Sequence, residues 1–324
     1  MRKQRIKGAI AAAVALSFVA VACGSDNPTS SATTPVAVTA ASTVDTVAPT
    51  GTDAPTDTPA PSVTEAAPGG TAGECAAMTP VKLQLQWVTQ AQFAGYFAAA
   101  DQGFYKAQCL DVSILEGAVD IVPQTVLASG GADFAIAWVP KALASREAGA
   151  NIVDIAQVFQ RSGTLQVSFK DKGITSSADF AGKKIGNWGF GNEWEVFAAM
   201  TKSGVDPASV TNVAQQFDMV GLLEGDIDAA EAMTYNEYAQ VLEAINPDTG
   251  KLYTADDFNV ISYEAEGVGM LQDAIWADGT RLSDPTYNDT AVKFVAASLQ
   301  GWAYCRDNGD ACAQLVTDKN SILG

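Results

Sequence analysis

The sequence predicts an α/β protein built as two lobes around a cleft, and three observations carry that expectation. From residue 81 onward, short apolar runs alternate with amphipathic stretches, the pattern of strands followed by helices. The alternation runs through one complete block, restarts near Ser177, and returns late with two further strands and two helices. The chain is 48% hydrophobic and 8% aromatic with only 17% charged residues, enough apolar material for a sizeable core. Periodicity alone leaves a two-domain enzyme open beside a two-lobed ligand clamp.

The first block reads as a strand at 82–87, a helix at 93–106, a strand at 111–116, a helix at 121–129 and a strand at 134–138. A helix at 141–148 follows, then a strand at 152–159 with 165–169 as its hairpin partner. The second block has a short helix at 177–180, a strand at 184–188, and Gly189-Phe190-Gly191-Asn192 opening a helix at 193–203. A strand at 210–216, a helix at 219–224, a strand at 228–233 and a helix at 236–244 complete it. The return comprises strands near 260–263 and 272–277 and helices at 289–306 and 311–319. The expected organisation is therefore residues 75–172 and 262–324 in the first lobe and 173–261 in the second.

Residues 1–22 have the layout of a secretory signal: a basic start through Lys7, an apolar run from Gly8 to Val21, and small residues before Cys23. That run is too short for a stable membrane anchor. Ala20-Val21-Ala22-Cys23 is similar to a bacterial lipobox with Cys23 as the acylated residue, although Ala20 stands where Leu is preferred, and the same residues satisfy ordinary A-x-A cleavage. Residues 24–74 contain no Lys, Arg, Trp, Tyr or Phe and are dominated by Thr, Pro, Ala, Ser and Gly. Such a segment cannot bury enough apolar surface to offset its ordering entropy, so 23–74 is expected to be a lipidated, flexible tether with a reach of about 40 Å. With Cys23 acylated, four cysteines remain, an even number suited to an exported protein. Cys305 and Cys312 flank a short turn where a bridge would staple two helices, which leaves Cys75 to pair with Cys109; four buried thiols are the alternative.

The formal charge of −18 becomes −22 once the four signal cations are removed. That excludes a nucleic-acid binder, which needs a basic surface, and weighs against a basic membrane-binding patch. Histidine is absent, which removes the commonest general base, the histidine-dependent triads and most zinc sites. No nucleophile or metal constellation stands out, and neither cofactor nor metal is expected.

Several segments together resemble a known family. Leu85-Gln86-Trp87, Phe93-Ala94-Gly95-Tyr96-Phe97-Ala98-Ala99-Ala100 and Gly103-Phe104-Tyr105-Lys106 are similar to the opening of the solute-binding proteins of the sulfonate and thiamine-pyrimidine-precursor (NMT1-type) group. Leu110-Asp111-Val112, Gly130-Gly131-Ala132-Asp133-Phe134, Phe180-Ala181-Gly182-Lys183-Lys184-Ile185-Gly186 and Gly225-Asp226-Ile227-Asp228-Ala229-Ala230 continue the likeness in order. The resemblance implies the bilobal type II periplasmic-binding-protein fold and a monomer that delivers a small ligand to an ABC importer outside the cytoplasm. Eukaryotic relatives are pyrimidine synthases that consume their own histidine, a chemistry this chain cannot perform; the cysteine-rich cluster of those enzymes is also missing. The family pattern usually continues past Ile322 with further helix, so a fragment or a short variant is expected.

Ligands of open α/β sheets bind at the carboxyl ends of strands. Trp87, Trp138, Trp188 and Trp194 fall at or just past such points, where flat faces suit stacking on a heterocycle. Beside them lie Gln92, Phe93 and Tyr96 at the first helix, Gln160 at a strand end, Asn192 and Glu193 after Gly191, and Tyr235, Asn236 and Glu237 after the strand at 228–233. Amides and carboxylates can read the donor and acceptor edge of a pyrimidine or isoalloxazine ring. The Gly189–Asn192 loop also resembles an anion cradle, which keeps an alkanesulfonate or taurine-like ligand open. The nearby cations, Lys141 and Arg161, lie outside that loop, which favours a neutral or weakly charged aromatic ligand over a sulfonate. Residues 90–96, 120–123 and 235–238 look closest to the riboflavin-binding branch, with a thiamine pyrimidine precursor next.

Overall fold

The computed structural model describes residues 75–118 and 120–319. The expected signal, Cys23 and the expected tether lie outside the described residues. In chain order the elements are β1 (Thr79–Gln84), α1 (Ala94–Asp101), α2 (Phe104–Ala107), β2 (Leu110–Leu115), α3 (Pro123–Ala128), β3 (Phe134–Trp138), α4 (Val139–Glu147), β4 (Ile152–Gln157) and β5 (Thr164–Phe169). They continue with β6 (Lys184–Asn187), α5 (Trp194–Ser203), β7 (Thr211–Ala214), α6 (Val220–Leu223), β8 (Ala230–Met233), α7 (Glu237–Glu243) and the small hairpin β9 (Ile245–Asn246) and β10 (Lys251–Leu252). The last are β11 (Phe258–Ser262), β12 (Asp273–Asp278), α8 (Pro285–Asp307) and α9 (Gly309–Asp318).

Five strands form the first sheet in the order β2-β1-β3-β12-β4, with β1 parallel to β2 and β3 and with β12 antiparallel to both its neighbours. In the second half β11-β5-β8 are antiparallel and β6-β7 are parallel; a parallel bridge from Ile185 to Ala229 links the two groups. Written as β7-β6-β8-β5-β11, the second sheet repeats the order of the first. In each, the fourth strand arrives from the other half of the chain: β5 follows β4 of the first sheet, and β12 follows β11 of the second.

The hairpin expected between 152–159 and 165–169 does not form. Thr164 to Ser168 are all buried, so β5 needs a neighbour on both sides, and it finds them in β11 and β8 while β4 pairs with β12. The expected helix at 93–106 is broken at Gly103, whose φ of 76° ends α1 and starts the short α2.

Helix α8 starts on Asp284, whose carboxylate accepts from Thr286 N at 2.8 Å, with Pro285 in the first turn. It packs against α1 so closely that a Cβ on Gly301 would lie 2.0 Å from the Gly95 carbonyl oxygen. Phe294 on α8 stacks on Phe134 at 4.4 Å and on Tyr105 at 5.3 Å, locking the helix to the first sheet. Cys75 is bonded to Cys109, fastening the lead-in of β1 to the start of β2, and Cys305 to Cys312, fastening α8 to α9. Among the described residues no helix is long and apolar enough to cross a membrane.

Candidate functional cleft

The carboxyl ends of β1, β3, β6 and β8 bring a small set of side chains around one cavity. Its walls are Trp87, Trp138, Trp188 and Met233, and its polar groups are Gln86, Gln90, Gln92, Asn192 and Glu237. Both sheets contribute: Trp87 and Trp138 follow strands of the first, Trp188 and Met233 belong to the second. The indoles of Trp87 and Trp188 meet edge to face at 6.2 Å. The cavity between them is small, about 20 Å³, room for one water. An aromatic ring therefore enters only if the walls part.

The polar groups are held by buried charge. Asp273, 1% exposed at the start of β12, accepts from Gln86 Nε2 and Gln92 Nε2, both at 2.8 Å. Burial pushes its carboxyl up to about 7, partly offset by the Gln92 hydrogen bond and the Lys141 ammonium. Glu237 accepts from Met233 N at 2.9 Å and Asn236 Nδ2 at 2.9 Å, and burial likewise raises it to about 7. Lys141 is 5% exposed and is lowered by burial to about 8, with Asp273 and Glu193 acting in the opposite direction. Trp188 is fixed through its backbone N–H to the fully buried Glu231 carboxylate at 3.2 Å and through its indole N–H to Gln216 O at 3.0 Å. Burial raises the Glu231 pKa well above the usual carboxylate range.

The loop that resembled an anion cradle is occupied by its own groups. Gly189 N donates to Asn187 Oδ1 at 3.1 Å, Gly191 N to Glu193 Oε2 at 2.8 Å and Asn192 N to Gly189 O at 3.0 Å. The backbone is left-handed at Gly189, Phe190 and Gly191, with Phe190 at φ 52° and 61% exposed. Lys141, far away in sequence, packs on this loop: a Cβ at Gly191 would lie 2.8 Å from Lys141 Cγ.

Of the residues singled out from sequence, Trp87, Gln92, Trp138, Trp188, Asn192 and Glu237 line the cavity. Asn236 lies one layer behind, bonded to Gln90 and Glu237. Phe93 and Tyr96 do not reach it: both are fully buried in the core, and Tyr96 packs edge to face on Trp302 at 5.8 Å. Gln160 is exposed beyond the end of β4 and, with Tyr235, lines a separate hollow at the crossing between the sheets. Glu193 serves its own loop, and Trp194 is 39% exposed outside the cavity with its edge to Phe197. Gln86, Gln90, Met233 and Asp273 were not singled out. Their signals were the amides repeated through residues 84–92 and an acidic residue placed just before the apolar run 274–277.

The two-lobed arrangement with its cleft at the strand ends is that of the bilobal type II periplasmic binding proteins. The solved structure of the periplasmic aliphatic sulphonate binding protein SsuA from Escherichia coli superposes with a TM-score of 0.57 at 14% identity, over 74% of this chain and 73% of that one. The chain belongs to the NMT1/THI5-like family, whose pattern it matches over residues 90–311. Among its relatives, the riboflavin-binding protein RibY of Chloroflexus aurantiacus is 27% identical over 72% of this chain, which spans 65% of RibY's length. The formylaminopyrimidine-binding protein of Halalkalibacterium halodurans is 22% identical over 76% of this chain and 72% of that protein.

The raised carboxyls make stability depend on pH. Asp273 and Glu237 titrate near 7 when folded and near 4 when unfolded. The native state therefore holds more protons between about pH 4 and 7, so their contribution falls as pH rises through that window and levels off above it. Glu237→Gln removes its share of the slope. Denaturant unfolding from pH 4 to 8 checks this; equal slopes in the two proteins would contradict it.

Proposed function

We propose that the protein is an extracytoplasmic solute-binding protein that captures a small, flat, neutral nitrogen heterocycle and hands it to an ABC importer. Riboflavin comes first and a thiamine pyrimidine precursor second. The observation that carries this reading is the cavity itself: three indoles at the strand ends beside amides and one carboxyl, with no arginine on its walls. Indole faces provide apolar area for a ring, while Gln and Asn side chains offer both donors and acceptors to its edge. The riboflavin- and formylaminopyrimidine-binding relatives support the ligand class. The isoalloxazine ring demands the wider parting of Trp87 from Trp188; a single pyrimidine demands less. We read the protein as a monomeric carrier rather than a catalyst, since it has no histidine to serve as a general base.

A sulfonate ligand is the second reading, favoured by Lys141 against the Gly189–Asn192 loop. The commitment of Gly189 N, Gly191 N and Asn192 N to partners within the loop weighs against it.

Titration decides between them. Riboflavin should quench tryptophan and flavin fluorescence together, whereas a pyrimidine precursor should change the protein signal alone. Trp188→Ala should weaken binding by about 1–3 kcal/mol, the range for a ring stacked on an aromatic side chain. Binding of taurine with neither heterocycle bound would sink the proposal.

For location, we propose that Cys23 is lipidated and residues 24–74 hold the folded part near the outer face of the membrane. Cys23→Ser should move the protein from the membrane to the soluble fraction. A wild type already wholly soluble would favour plain A-x-A cleavage.

A further inference from the structure

Five buried side chains form one hydrogen-bonded chain across the cleft. Asp273 Oδ2 accepts from Gln92 Nε2 at 2.8 Å, and Gln92 Oε1 accepts from Gln90 Nε2 at 2.6 Å. Gln90 Oε1 accepts from Asn236 Nδ2, which also donates to Glu237 Oε1 at 2.9 Å. None of the five is more than 8% exposed. The chain starts on the first sheet and ends on the second, and the Gln90–Asn236 bond is the link that crosses.

An amide can be turned end for end with almost no change of shape, so its orientation is decided by its partners. A carboxylate only accepts. Asp273 therefore draws the nitrogen of Gln92, which leaves Gln92 oxygen for Gln90 and Gln90 oxygen for Asn236. From the other end Glu237 draws the nitrogen of Asn236, whose oxygen is left for Gln240 Nε2 at 3.4 Å. Gln86 is pinned independently, because Trp138 N donates to its Oε1 at 3.2 Å while its nitrogen meets Asp273.

We propose that Asp273 and Glu237 are positioning residues that set the polarity of this amide chain and, through Gln90 and Gln92 on the cavity wall, the donor–acceptor pattern by which the cleft selects among heterocycles. The ligand part rests on the binding function proposed above; the polarity does not. Asp273 touches the cavity only through the glutamines it orients.

The polarity has a distinctive consequence for substitution. In Asp273→Asn the new side chain must offer its oxygen to the pinned Gln86, so its nitrogen faces Gln92. Gln92, Gln90 and Asn236 must then all reverse, which sets Asn236 oxygen against the Glu237 carboxylate. In Glu237→Gln the oxygen must stay on Met233 N, so the nitrogen faces Asn236 and demands the same reversal, now blocked by Asp273. Only the double variant satisfies every group, with the chain reversed and the half-buried Gln240 turned with it.

A double-mutant cycle reads this without any ligand. Unfolding constants are measured by denaturant at pH 8.5, above the value of about 7 for both carboxyls, for the wild type, Asp273→Asn, Glu237→Gln and the double variant. The double variant should be more stable than the two single effects combined, its fold-change in unfolding constant relative to the wild type lying about 10-fold or more below the product of the two single fold-changes. Failure of a single variant to fold while the double variant folds supports the proposal equally. Additive effects overturn the proposal, and so does a double variant less stable than the combination, the sign that simple repulsion between two carboxylates produces. A neutron structure of the wild type at pH 8.5 supplies a second readout: deuterons on Gln92 Nε2 directed at Asp273 and on Gln90 Nε2 directed at Gln92, the opposite arrangement overturning it. Riboflavin affinity should fall about 10-fold or more in the folded double variant, and undiminished affinity overturns the ligand part. No riboflavin binding by the wild type would count against the proposed ligand, while the cycle would still decide the polarity.

Discussion

The reciprocal exchange of one strand between the two sheets is the constraint on which the rest of the structure depends. Because β5 leaves the first half to pair between β11 and β8, and β12 leaves the second half to pair between β3 and β4, the two halves are joined by two crossing segments rather than one. The crossings are bonded to each other: Gly163 N donates to Gln272 Oε1 at 3.0 Å and Gln272 Nε2 to Thr164 Oγ1 at 2.7 Å. This places the carboxyl ends of both sets of parallel strands opposite one another, and the tryptophans that follow those strands become the two walls of one cavity. It also delivers Asp273. As the first residue of the returning strand, it arrives beside Trp138, its register partner on β3, and meets Gln86 and Gln92 from below the cavity.

The cleft is framed by buried polar groups rather than exposed charge. A chain with a net charge of −18 places one lysine and two carboxyls around the cavity with little access to water, and burial drives each of the three toward its neutral form. Such groups are costly unless hydrogen-bonded. Here the amides of Gln86, Gln92 and Asn236 satisfy the carboxylates, and in doing so lose their freedom to turn. Hydrogen-bonded amides beside indole faces suit a ring with donors and acceptors on its edge.

The layer architecture was legible because buried strands and amphipathic helices leave distinct periods in the sequence, and because the family motifs run in order along the chain. One rule, that ligands meet strands at their carboxyl ends, singled out Trp87, Trp138 and Trp188, and these three line the cavity. Misplacement came where local position stood in for geometry. Phe93 and Tyr96 lie at the start of a helix near the cleft, but both are fully buried in the core, Tyr96 against Trp302. Gln160 was assigned to a strand end, yet β4 stops at Gln157 and the residue falls on the crossing segment. The β4–β5 hairpin was the natural guess for two neighbouring strands, and nothing local in the sequence announces that a strand will pair in the other sheet. Asp273 was invisible for the same reason: its partners lie 181 and 187 positions away.

Mass spectrometry of small molecules released from the purified, denatured protein tests the central claim most directly, since it asks the cleft itself what it holds. A flat, neutral nitrogen heterocycle, riboflavin or a substituted pyrimidine, released in stoichiometric amount is the predicted result. Release of an alkanesulfonate, or of another anion without an aromatic ring, would contradict the account.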